Sequence, residues 1–75
     1  MSDYLIIDAV DGEEHDRYED DLRGAIADAM VRAMGVPRSP DARNEIVDQM
    51  AERGIRRLMV LTGPCGQWIV KRVRS

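Results

Sequence analysis

The 75-residue chain has one cysteine, one histidine, one tryptophan, two tyrosines and no phenylalanine. A lone Cys65 excludes a disulfide within the monomer, and one Cys with one His cannot close a structural zinc site. No metal, cofactor or catalytic residue is expected. No run approaches the roughly 18 apolar residues of a membrane-spanning helix, so no membrane partner is expected. The N-terminus lacks the basic flank and apolar stretch of a secretory leader. The expectation is a soluble, cytoplasmic protein. Length leaves no room for a second core, since a domain this size buries only about 60–65% of its unfolded surface. An association partner, including a second copy of the chain, would relieve so thin a core.

What the chain does hold is charge, unevenly spread. Fourteen Asp/Glu stand against eleven Lys/Arg, for a net charge of −3. Residues 1–30 carry ten Asp/Glu against Arg17 and Arg23, a balance of −8; residues 31–75 carry four against nine, a balance of +5. The chain is a dipole in sequence. Its acidic centre is DGEEHDRYEDD, residues 11–21, where seven of eleven positions are carboxylates.

The apolar pattern predicts one small α+β domain, residues 1–75, in the order β-α-α-β-β. Residues 4–10 (YLIIDAV) read as a strand ended by Asp11-Gly12. Tyr18, Leu22, Ala25, Ile26, Ala29, Met30, Ala33 and Met34 recur at steps of three and four and predict a helix over 15–34. Gly35 then suits the helix end and Pro37 bars continuation. Ser39-Pro40 opens a second helix over 40–53, with Ile46, Val47, Met50 and Ala51 on its apolar face and Gly54 at its stop. Residues 56–62 and 67–74 read as strands flanking the turn Gly63-Pro64-Cys65-Gly66. The expected architecture is a three-stranded, largely antiparallel sheet with both helices packed on one face.

Carboxylates suit the first turn of a helix, where unpaired N–H groups favour negative charge. That accounts for two or three of the seven and leaves the others repelling one another at i+3 and i+4, as Asp16 does with Glu19 and Asp20. The plain reading is a solvated charged face. The functional one is a partner-binding face of Asp11, Glu13, Glu14, Asp16, Glu19, Asp20 and Asp21, whose carboxylates imitate phosphates to a basic, nucleic-acid-binding protein surface. The run lacks the ligand spacing and central glycine of an EF-hand, which argues against calcium. His15 reads more simply as an exposed side chain than as a general base.

Cys65 sits in a glycine-bordered turn with no neighbouring base and matches no cysteine-protease signature, so a plain turn thiol is the reading. Arg56, Arg57, Lys71, Arg72 and Arg74 form a secondary basic patch on the predicted hairpin, beside Trp68 and Tyr4. Basic strands with aromatics can hold single-stranded nucleic acid. Two aromatics are few and the protein is acidic, so direct nucleic-acid binding is the alternative rather than the expectation. A structural homodimer, joining the basic hairpin of one copy to the acidic segment of another, is the other alternative.

A strand, helical segments and a closing hairpin, with Gly66-Gln67-Trp68-Ile69-Val70 starting the last strand, resemble several small phage-encoded anti-CRISPR proteins. The resemblance covers general format across the chain plus that short stretch, and no family motif aligns residue by residue. It implies a non-enzymatic inhibitor of a CRISPR effector complex, working in the host cytoplasm. The acidic residues Asp11 to Asp21 would then occupy a basic channel meant for nucleic acid.

Overall fold

The computed structural model describes residues 1–74, apart from the side chain of Arg74. Six elements follow in order: β1 (Ser2–Asp8), β2 (Glu14–Glu19), α1 (Leu22–Met34), α2 (Pro40–Arg53), β3 (Leu58–Gly63) and β4 (Gly66–Arg74). The strands form one antiparallel sheet ordered β2-β1-β4-β3. The α+β reading with two helices agrees with this. The three-stranded β-α-α-β-β order does not, and is corrected to four strands in the order β-β-α-α-β-β.

The difference lies in the expected helix over 15–34, which is a strand, a break and a shorter helix. A helix over 14–20 would stack like charges at i+3 and i+4. In a strand, successive side chains part to opposite faces. Tyr18 then packs against the core, and Arg17 reaches across to Asp3 on β1, Nη2 to Oδ2 at 2.7 Å. Asp20 follows in the left-handed region at φ 51°, which Asp tolerates better than most residues. Asp21 caps α1, its Oδ1 accepting the Gly24 N–H at 2.9 Å. A Cβ on Gly24 would fall 2.2 Å from that carboxylate, so a larger residue there would make the capping side chain shift.

The β1–β2 turn is built by the same residue type. The Asp8 Oδ1 accepts the Val10 N–H at 2.9 Å, and the Asp11 Oδ1 accepts the Glu13 N–H at 2.8 Å. Gly12 turns the chain at φ 76°, and its N–H donates to the Asp8 carbonyl at 2.8 Å. Short polar side chains that bond their own backbone two residues on favour such turns.

The core is small. Ala25, Ile26, Ala29, Met30 and Ala33 of α1 meet Ile6, Leu61 and Val70 of the sheet, and three alanines let helix and sheet approach closely. Val47 is the one buried residue of α2, which leans on α1 and makes no close approach to the sheet. The expectation of both helices on the sheet therefore holds for α1 alone. The strand ends shift by a residue or two from 4–10, 56–62 and 67–74, and the helix over 40–53 keeps its bounds. The β3–β4 turn docks on the end of α1, where the Cys65 N–H donates to the Ala33 carbonyl at 2.8 Å. A Cβ on Gly63 would meet that carbonyl oxygen at 2.4 Å.

Candidate interaction surfaces

Register decides which side chains share a face. Ile6 on β1 stands opposite Val70 on β4, and Trp68 opposite Leu61 on β3. These side chains, with Tyr4, Tyr18 and Met59, belong to the core beneath α1. The other face carries Leu5 and Ile7 of β1, Ile69 and Val73 of β4, and Leu58 and Val60 of β3. None of these six packs into the core, and Leu58 and Val60 are 53% and 49% exposed.

The acidic run does not form one surface. Asp11 holds the β1–β2 turn and Asp21 caps α1. Asp16 is bound to Arg32, Oδ2 to Nη2 at 2.5 Å. Glu13, Glu14, Glu19 and Asp20 are exposed and have no ion pair or side-chain hydrogen bond among the described residues. They lie along β2 and its two ends, on the outer edge of the sheet. The helical surface expected of these seven residues is thus corrected to a strand edge carrying four free carboxylates.

On the core side of that edge is a cluster that charge counting misses. β2 pairs with β1 at Leu5↔Arg17 and again at Ile7↔Glu14, so three steps on β2 match two on β1. Such a bulge re-aims side chains. Here His15 meets the Trp68 ring edge-on, with centroids 5.0 Å apart. The Arg32 guanidinium lies 5.0 Å from the centroid of the same ring. Its Nε donates to the Asp28 Oδ1 at 2.8 Å, and the Tyr18 hydroxyl donates to the Asp28 Oδ2 at 2.5 Å. Burial first, then the hydrogen bond and charge of Asp28, push the Tyr18 hydroxyl up to about 12. Burial acts to lower the Arg32 pKa, and the bonds and charges of Asp28 and Asp16 outweigh it and raise it further. Tyr18, Asp28, Arg32 and Asp16 are joined by hydrogen bonds and ion pairs, and the Trp68 ring packs against Arg32, which makes the network a clasp between β2, α1 and β4. The one trace of it in the sequence is the i,i+4 pair Asp28–Arg32.

The secondary basic patch divides as well. Lys71 is opposite Leu5 and Leu58 on the open face, while Arg72 is opposite Tyr4 and bonds the Ser2 hydroxyl at 2.8 Å. Arg56 and Arg57 lie just before β3, at the sheet edge away from β2. The Arg74 side chain lies outside the described residues. Cys65 is exposed in the Pro64-Cys65 turn. Among the described residues no three His, Cys, Asp or Glu side chains gather as a metal site, and no helix is long and apolar enough to cross a membrane. Comparisons with protein-family models, curated proteins and solved structures each give no match to this chain.

Proposed function

We propose that the chain is a non-catalytic protein-binding module that offers the acidic β2 edge to a basic surface of its partner and acts as an inhibitor there. The observation that carries this reading is the set of four carboxylates, Glu13, Glu14, Glu19 and Asp20, left without a cation among the described residues along the outer strand of the sheet and at its two ends. An edge strand presents unpaired backbone N–H and C=O groups to which a partner strand can add. The carboxylates select a basic partner and speed its approach. In the version that the anti-CRISPR resemblance suggests, the basic surface is the nucleic-acid channel of a CRISPR effector complex in the host cytoplasm.

Nucleic-acid binding by the basic hairpin is the weaker reading, because Lys71 and Arg72 point to opposite faces and offer no single cationic groove. The test reverses Glu13, Glu19 and Asp20 to lysine and spares Asp16 and Asp21, which hold the fold. Wild type should bind a purified effector complex at low salt and weaken as salt is added. The triple variant should lose at least about tenfold in affinity with an unchanged circular dichroism spectrum. Equal affinity of the two chains removes the acidic edge from the account. Tight, salt-sensitive binding of wild type to oligonucleotides instead favours the hairpin.

A further inference from the structure

β3 forms the second edge of the sheet, and its backbone is laid out for a further strand. The Arg72 N–H donates to the Arg57 carbonyl at 2.7 Å, which sets the phase of the ladder. Arg57, Met59 and Leu61 turn their backbone groups toward β4, so Leu58, Val60 and Thr62 turn theirs outward. Their N–H and C=O groups stand in a row with no partner strand among the described residues.

Proteins blunt exposed edges with charge, proline, a bulge or a covering helix. β3 uses none of these. Leu58–Gly63 holds no charged residue and no proline. It pairs with β4 without a register shift, and α2 makes no close approach to it. β2, by contrast, carries a bulge and a run of charged side chains.

Charge selects what can lie along this edge. Residues 53–75 hold five Arg and one Lys and no Asp or Glu. Arg53, Arg56 and Arg57 lead into β3, exposed and in no ion pair among the described residues. Beyond them, Leu58 and Val60 are 53% and 49% exposed. We infer that the β3 edge binds an extended segment of a partner protein as a fifth strand, β-branched or apolar along Leu58 and Val60 and acidic where it meets Arg56 and Arg57. The segment runs antiparallel to β3, which continues the sheet in its stronger pairing and puts the acidic residues at the segment's C-terminal end. Main-chain bonds give the affinity, and alternate side chains with the flanking charge give the selectivity. The acidic β2 of a second copy fits less well, because its bulge breaks the even ladder and its Arg17 would join an edge already cationic. This surface is separate from the acidic β2 edge and does not depend on it.

Amide shifts in two-dimensional NMR test the inference with a defined probe, an acetylated and amidated heptapeptide. Its first five positions alternate threonine and valine and its last two are glutamate. The Leu58, Val60 and Thr62 amides should shift and saturate with a dissociation constant below about 1 mM. The Met59 and Leu61 amides, already bonded to β4, should move less. Replacing both glutamates of the probe by lysine should weaken binding at least about fivefold. Methylating the probe nitrogens that face β3 should abolish it, which charge attraction alone would not do. Val60→Pro removes one outward donor where an edge strand tolerates proline, and should weaken binding at least about fivefold. The methylated probe makes the same test if that variant does not fold. Arg56→Glu combined with Arg57→Glu should also weaken binding. The chain with Glu13→Lys, Glu19→Lys and Asp20→Lys should bind the probe at least as well as wild type, so the two edges stand or fall apart. No saturable shift of the three outward amides below about 1 mM, or a methylated probe that binds as well as its parent, overturns the inference. So does a shift of the same amides with protein concentration alone, which puts a second copy on the edge, or displacement of the probe by an oligonucleotide that binds there more tightly.

Discussion

The Arg32 guanidinium touches Asp28 on its own helix, Asp16 on β2 and the Trp68 ring on β4, so truncating it removes three contacts at once. Asp16 is half exposed and rehydrates, whereas the Asp28 side chain keeps 19% of its exposure and stays beside the Tyr18 hydroxyl. The cost is therefore set by Asp28 and by the lost cation–π contact. Arg32→Ala should lower unfolding stability by about 1–3 kcal/mol in a urea titration. Arg32→Lys should recover only part, because an ammonium cannot make the planar contacts of the guanidinium. Tyr18 gives a separate, pH-dependent signal. The unfolded chain releases the phenol proton near its ordinary pKa of about 10, and the folded chain near about 12. Between these values the folded state binds more proton, so the contribution is whole below about pH 10 and is lost as pH rises to about 12. Tyr18→Phe has no such proton and should lose stability less steeply over that window. Equal alkaline slopes for the two chains would show that Tyr18 titrates alike folded and unfolded.

Two carboxylates where β2 gives way to α1 differ in what they do for the elements around them. Asp21 starts α1 by taking up a backbone N–H, while the Glu19 side chain has no hydrogen bond or ion pair among the described residues. Asp21→Ala should cost about 1 kcal/mol as a lost cap, and Glu19→Ala should fall within about 0.5 kcal/mol of wild type, as surface positions do. A cost at Glu19 equal to that at Asp21 would mean the outer carboxylates are structural after all. The same contrast explains what could be read from the chain. Helix 40–53 was readable because its apolar spacing, its Ser39-Pro40 start and its Gly54 stop all agree. The β3–β4 hairpin was readable because β-branched and long aliphatic runs flank a Gly-Pro-Cys-Gly turn. β2 was not, because Glu14–Glu19 has no β-branched residue and its only apolar anchor, Tyr18, also fits the helical spacing of Leu22 and Ile26. Its strand state comes from Asp3–Arg17 and from pairing with β1, which are tertiary facts. One local signal was present: Asp11-Gly12 after an apolar run is a hairpin turn as well as a strand end. Seven carboxylates in eleven positions could be counted, but not which of them bind an arginine, a cap or a turn. The open face was hidden for the same reason, since an alternation in β1 of Leu5, Ile6 and Ile7 is apolar on both sides.

Sheet order converts the uneven charge of the sequence into a separation in space. β2, with its free carboxylates, and the Arg56–Arg57 approach to β3 stand at opposite edges. Two effects of salt then oppose each other. Screening weakens ion pairs, but the Arg17–Asp3 and Arg32–Asp28 pairs have side-chain acids only 9% and 19% exposed, where screening is least. The two remaining pairs, Arg32–Asp16 with a half-exposed acid and Arg23–Asp48 half exposed on both sides, contribute at most about 1 kcal/mol each. Screening also relieves repulsion among Glu13, Glu14, Glu19 and Asp20, which are fully within reach of the solvent ions. The balance favours relief. Raising ionic strength from about 0.01 to about 0.5 M, which shrinks the screening length from about 30 Å to a few ångströms, should raise the thermal midpoint by a few degrees. Replacing Glu13, Glu14 and Glu19 by glutamine should raise the midpoint at low salt and flatten the response. Calorimetry at one dilute protein concentration separates this from any gain by association. A midpoint that falls with salt would show that the internal arginine pairs, and not the crowded β2 edge, dominate the electrostatics of the folded chain.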